Sequence, residues 1–212
     1  MNKSEQQTDN LNLVSGLANR MSVKELRQQL VVVTSNDPVI YQWWFRLDGA
    51  SMLLAAIGED HQNVKIARDI IQGNEYLGLY AGKGKSCRQR FDWHIRQHHD
   101  ARTVRHGFLS TLRQTLSALL GYNAVDAEDA VNKFIDEYCY LDWTCYPRCS
   151  KEQLSELEEE RIHGGYFPLN IQSNPNVPRE IIKTIRMLRR LSKRGGLNDS
   201  SRSSAARYGR SS

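Results

Sequence analysis

The residue types most able to do chemistry fall in two stretches. The first is LYAGKGKSCRQRFDWHIRQHH, residues 79–99. Tyr80 closes an apolar, aromatic run, Lys83 and Lys85 lie in a Gly-rich turn, and Arg90 and His94 follow four residues apart. Residues four apart share one face of a helix. Arg binds phosphate oxygens bidentately and Lys binds them as a point charge. A Tyr, Lys side chains, an Arg and a His converging from a strand end and the next helix therefore suit a phosphate pocket. The second stretch is SELEEERIHGGYFPLN, residues 155–170. Glu158 belongs to a helix, and Asn170 follows twelve residues later, past Gly164-Gly165 and Pro168. A carboxylate suits a hard divalent ion, and Mg²⁺ is often held by one or two carboxylates plus water and substrate phosphate.

A third piece, Val39-Ile40-Tyr41, places a further tyrosine upstream. Together VIY, LYAGKG, RFDWH, LEEERI and YFPLN resemble the GIY-YIG nuclease family, over roughly Pro38 to Asn170. VIY stands where the family has its first signature element, and LYAGKG where it has its second. RFDWH resembles the Arg-x-x-x-His helix, and LEEERI with YFPLN resembles the Glu-bearing helix and terminal Asn. The resemblance implies a single-metal phosphodiesterase built on a small three-stranded antiparallel sheet. It implies Glu158 as ligand of Mg²⁺ or Mn²⁺, and Tyr41 as acceptor of the proton of the attacking water, with Tyr80 beside it. Arg90 would stabilise charge on the phosphate, His94 would hydrogen-bond a tyrosine or the phosphate, and Asn170 would hold the geometry. Glu158, Glu159 and Glu160 are consecutive; spacing favours Glu158, and Glu159 is the rival. A tyrosine has an ordinary pKa near ~10, so a tyrosine base needs nearby positive charge, here from Arg90, Lys83 and the metal.

The elements that must position these groups can be read from pattern. Ser22, with Glu25 three residues on, starts a helix over Ser22–Val33. VIYQWWF after Pro38 reads as a strand, and Asp48 caps a short helix ending near Gly58. Residues 59–73 read as a polar stretch with a further helix, KIARDIIQG, stopped by Gly73. EYLGLYAG is the second strand, Cys87–His99 a helix, and Phe108–Leu120 a core helix by its spacing of Phe108, Leu109, Leu112, Leu116, Leu119 and Leu120. That helix is core, with Arg113 a candidate to face the substrate. Ala127–Asp136 is a helix and Glu137–Tyr146 the third strand. Ser150 caps a helix to His163, and Pro178 begins the last one, PREIIKTIRMLRRLSKR. The fold class is α/β (α+β), a three-stranded antiparallel sheet flanked by helices, with extra helices. The expected organisation is a disordered segment over 1–20, a nuclease-like domain over 21–176, a basic helix over 177–194 and a disordered basic tail over 195–212.

The 212 residues suit one compact domain with a real core. The hydrophobic fraction of 40% and charged fraction of 25% are those of a globular chain, and no apolar run is long enough to span a bilayer. The polar start MNKSEQQTDNLN is unlike a signal peptide. The four cysteines (Cys87, Cys139, Cys145, Cys149) lack paired zinc spacing. Free thiols and a cytoplasmic setting are expected, with no membrane association. The net charge of +5 is uneven: Arg179–Ser212 carries ten Lys/Arg against two acids, a surplus of eight, which leaves Met1–Pro178 at −3. A near-neutral body with a basic extension suggests contact with a phosphate backbone. His98, His99 and His106 are candidates for further phosphate contact, and the four tryptophans read as core or rim aromatics.

The function expected is a metal-dependent DNA endonuclease. The alternative is a catalytically silent nucleic-acid-binding module, because VIY lacks the Gly of its signature and YAG the usual β-branched residue. Ile181, Ile182, Ile185, Leu188 and Leu191 can pack on the body or form the seam of a homodimer.

Overall fold

The computed structural model describes residues 19–172 and 174–196. Most of the expected N-terminal segment and all but two residues of the expected tail lie outside the described residues. Within them the order is β1 (Asn19–Ser22), α1 (Val23–Val33), β2 (Val39–Arg46), α2 (Leu47–Ala56), β3 (Ala67–Ile71), β4 (Asn74–Gly84), α3 (Cys87–Arg96), α4 (Ala101–Arg105), α5 (Thr111–Leu119), α6 (Glu128–Tyr138), β5 (Cys139–Cys145), α7 (Lys151–His163) and α8 (Arg179–Arg194).

The sheet is antiparallel throughout and has five strands rather than three, in the order β1-β5-β2-β4-β3. The three expected strands are its centre, β5-β2-β4, and the two unexpected ones are its edges. KIARDIIQG holds strand β3, not a helix. Gln72 and Gly73 both have positive φ, so they make a two-residue hairpin turn into β4. Gly73 therefore turns a hairpin rather than stopping a helix. At the other edge, Asn19–Ser22 pairs with β5, and Arg20 grips Asp142 through two hydrogen bonds and Asp69 of β3 through an ion pair.

Caps set the helices. Ser22 accepts from the Glu25 amide, and Ser150 with Gln153 forms a complete capping box. Ser110 caps α5, so that helix begins after Phe108, which is 67% exposed rather than part of the core. The short helix α4, capped by Asp100, was not expected. The interval between Tyr41 and Tyr80 holds α2, a loop and β3.

One main core joins the Val39, Tyr41, Trp43 and Phe45 face of β2 to the buried faces of α1, α3, α5, α6 and α8. Ile181 and Ile185 of α8 are buried in it, and Ile182 and Leu188 pack against it. The apolar face of the last helix is thus used on its own body. Helix α7 packs against β2 and β4 from the opposite face, where Arg161 hydrogen-bonds Gln42.

Candidate active site

Strands alternate their faces, so a tyrosine pair needs a compatible register. Tyr41 lies opposite Gly82 and Trp43 opposite Tyr80, but Trp44 lies opposite Gly78, so Leu79 is the extra residue of a bulge. Leu77 and Leu79 both belong to the main core. Without the bulge Tyr80 would point away from that core; with it, Tyr80 shares the face of Tyr41. The two rings lie 6.4 Å apart, and the tight fit leaves no room for a side chain at Gly82, whose Cβ would sit 2.7 Å from the Tyr41 hydroxyl.

Helix α3 brings His94 against both rings. Tyr41 Oη is hydrogen-bonded to His94 Nε2 at 2.7 Å, and the His94 ring lies 6.1 Å from that of Tyr80. Gly84 permits this approach, since a Cβ there would meet Arg90 Cβ at 2.6 Å. Arg90 is half-buried and lies over Trp93, an exposed rim aromatic, at 5.7 Å. Ser110, the cap of α5, faces His94 Nδ1 at 3.2 Å. Arg113 does not face outward: it is fully buried and donates to the carbonyls of His94 and Ile95, to His99 Nε2 and to Asn132. It braces the end of the helix that carries His94.

Asn170 has a direct positional role. Beyond Gly78 the outer edge of β4 has no strand partner. Leu169 N donates to Leu79 O there, and the Asn170 side chain accepts from Ala81 N at 2.9 Å and donates to Ala81 O at 2.7 Å. Tyr80 is therefore clamped between two backbone contacts.

Glu158 approaches on α7. Its carboxylate ion-pairs with Lys83 Nζ at 2.9 Å, and the same Nζ bonds Ser155 Oγ. The Glu158 side chain is 26% exposed; that of Glu159 is 66% exposed and turns toward His163. Lys85 is exposed in the turn after β4. His99 is buried and donates from Nδ1 to Ala124 O, while His98 pairs with Glu128 and His106 stacks near Phe108. None of these three has a contact with the tyrosines.

The charges around the phenols are uneven. Burial pushes the Tyr41 hydroxyl well above the usual tyrosine range; Tyr80 and Glu158 add to this and Arg90 opposes it. Burial also raises Tyr80, with Glu158 in support, while Arg90, a hydrogen bond from Tyr41 and Arg189 pull it back. Burial, with Arg90 and Arg113 nearby, holds His94 well below the usual histidine value, so its ring is neutral. The charge of Lys83 is paired with Glu158.

A family model described as the GIY-YIG catalytic domain matches residues 39–191. The chain belongs to the GIY-YIG family. No curated protein and no solved structure matches it. The match extends beyond Asn170 into α8, and so includes Arg189, which the sequence marked only as one of the charges of the basic extension. Its place beside Ile185 and Leu188 at the border of the apolar stripe was the available signal. The bulge at Leu79 and the contact of Ser110 with His94 left no such mark.

Among the described residues no three His, Cys, Asp or Glu side chains form a metal cluster. A single carboxylate is compatible with Mg²⁺, which keeps several waters and takes oxygens from a substrate phosphate. Glu158 fits that pattern, with Lys83 as its present partner. No helix among the described residues is long and apolar enough to cross a membrane.

Proposed function

We propose that this GIY-YIG domain is a divalent-metal-dependent DNA endonuclease. The observation that carries this reading is the convergence of two buried phenols, a neutral imidazole and a cation, with one acidic side chain whose charge acts on both phenols. Glu158 would hold Mg²⁺ or Mn²⁺, which when bound supplies Lewis-acid stabilisation of a phosphate oxygen. Lys83 is released to the phosphate when Glu158 changes partner. Lys85, exposed nearby, adds backbone contact.

The two tyrosines act as a unit. Tyr80 is the more open and the better supported by cations, and Tyr41 lies behind it on His94. The attacking water gives its proton to the pair, with Tyr80 as the phenolate once the substrate complex has formed, and neutral His94 holds Tyr41 Oη through Nε2. The resulting hydroxide attacks phosphorus, the P–O bond to the departing sugar oxygen breaks, and solvent protonates that oxygen. Arg90 neutralises charge that develops on the phosphate. Asn170 holds Tyr80 in register.

The test is a nicking assay on supercoiled plasmid with Mg²⁺ or Mn²⁺. Glu158→Ala should abolish metal-dependent nicking, and Glu159→Ala should leave it near wild type. The reverse pattern would move the metal ligand by one residue. If the wild type binds DNA but cuts nothing under any metal, the catalytically silent module replaces this reading.

A further inference from the structure

Helix α8 is docked firmly. Ile181 and Ile185 are buried, Ser192 Oγ donates to Tyr122 O, and Ala124 N donates to Ser192 O. Its rotation on the body is therefore fixed, which gives meaning to the placement of its charges. At about 100° per residue, all seven basic residues, Arg179, Lys183 (paired with Glu180), Arg186, Arg189, Arg190, Lys193 and Arg194, fall within an arc of roughly 140° beside the apolar stripe. The other flank carries Glu180, Thr184, Met187 and Leu191.

Two residues of this basic arc, Arg186 and Arg189, reach toward the site. Arg186 donates to Ile171 O, next to the Asn170 that clamps Ala81 and so Tyr80. Arg189, one turn on, donates to Gln114 Oε1 at 2.5 Å in the first half of α5, the helix whose cap faces His94. Arg189 thus lies between the β4 edge and the first turns of α5. It is half-buried, and among the described residues no carboxylate pairs with it. Burial without a counter-charge lowers its pKa. A half-buried guanidinium without an acid is unfavourable alone and becomes favourable when an anion arrives.

We propose that the basic flank of α8 is a docking surface for the phosphate backbone of duplex DNA, with Arg189 as the arm that reaches the scissile phosphate opposite Arg90. This rests on the nuclease reading for the site itself, but the surface can be tested without cleavage. The track leads away from the tyrosines through Arg186 and Arg190 to Lys193 and Arg194. Its function is to fix where the backbone lies relative to the phenols. Phosphate contacts of this kind position a duplex and carry no sequence information.

The experiment measures binding of a mixed-sequence duplex oligonucleotide by fluorescence anisotropy in EDTA, across a salt series, on the full chain. Each lost phosphate contact should flatten the plot of log K against log[salt] by about 0.9. Arg189→Gln should flatten it by about one contact, and Arg190→Glu/Arg194→Glu should weaken binding at least tenfold. Lys24→Gln, on α1 beside the opposite sheet edge, should change nothing. Arg189→Lys should keep the salt slope yet lose nicking rate in Mg²⁺, which a purely structural role would not produce. Arg190 and Arg194 are exposed, so their reversal tests the surface even if Arg189→Gln unfolds. Wild-type affinity and slope in the folded double variant would overturn the proposal. A protein that nicks normally with both charges reversed would do the same and leave the nuclease reading intact. A protein that never nicks, but whose binding falls as described, would keep the surface and lose the nuclease.

Discussion

Replacing Gly82 by alanine tests the tyrosine geometry with a single methyl group. Gly82 does not have a positive φ, so an alanine there meets no backbone penalty, and in a strand interior it would on its own gain about 0.5–1 kcal/mol. The added Cβ would lie 2.7 Å from Tyr41 Oη and 3.0 Å from Cζ. Ordinary contact begins near ~3.4 Å, so the phenol must retreat by about 0.7 Å. Tyr41 is packed on Phe91, Tyr80 and His94, with ring distances of 5.7, 6.4 and 5.3 Å, and cannot swing aside freely. The same retreat must disturb its 2.7 Å bond to His94, which ends on the displaced hydroxyl. Overpacking costs about 1–3 kcal/mol, which after the strand gain leaves a net loss of roughly 0–2.5 kcal/mol. Misplacing a catalytic group by about 1 Å costs up to ~100-fold in rate.

The assays are thermal melting and the initial rate of plasmid nicking. Gly82→Ala should melt slightly low and nick at least tenfold more slowly. The decisive comparison adds Tyr41→Phe. Removing the hydroxyl removes the closest clash, so the two stability losses should be less than additive by about 1 kcal/mol in a double-mutant cycle. Strict additivity, or a Gly82→Ala protein that nicks at the wild-type rate, would refute the claim that this contact sets the tyrosine pair.

Three other outcomes follow from the same geometry. Asn170→Ala leaves both backbone groups of Ala81 without partners at a buried edge, at about 1–3 kcal/mol each. Asn170→Asp should recover little of the loss in melting temperature and nicking, because a carboxylate cannot donate to Ala81 O. Ser110→Ala removes the partner of His94 Nδ1 and the cap of α5, about 1 kcal/mol for the cap alone; nicking should fall roughly in step with the lost contact, and Ser110→Thr should restore both rate and stability. His99 is pushed down to about 4 from 6.5, chiefly by burial and next by Arg113. The unfolded chain therefore takes up its proton first, so stability is full above about pH 6.5 and declines as pH falls toward 4. The loss is on the order of 3 kcal/mol. His94 has the same sign. Urea unfolding at stepped pH should show this decline, reduced in His99→Gln; a flat profile would contradict it.

The central strands were legible because VIYQWWF, EYLGLYAG and CYLDWTC are dense in β-branched and aromatic residues. The edges were not. NRMS and ARDII are short, with charged residues inside them, and what makes them strands is an open neighbour and, for β3, a two-residue turn with positive φ. The start of α5 was misplaced because Phe108 fits the apolar period while Ser110 holds the cap. The candidate site residues were chosen by type and order, and the structure brings Tyr41, Tyr80 and His94 together, but their mutual relations were not legible. Only the bulge at Leu79 determines that Tyr80 and Tyr41 share a face, and only the docking of α8 determines that Arg189 approaches Tyr80.

Those relations change how the tyrosines work. A basic tyrosine needs its phenol lowered, yet in this structure burial raises both and Glu158 raises them further. Lys83, expected to help, is paired with Glu158. The free protein therefore keeps both phenols neutral. On the proposed reading, competence would come with the substrate complex: Glu158 holding a divalent ion would no longer oppose ionisation of the phenols, and Lys83 would be free of its present partner. Arg90 and Arg189 already favour the phenolate at Tyr80. An incoming phosphate raises the phenols again, since its charge is negative, so the surplus of cations around Tyr80 is needed to offset it. On the proposed nuclease reading, the phenols would become basic only with ion and phosphate both in place, which would restrain hydrolysis away from a docked backbone.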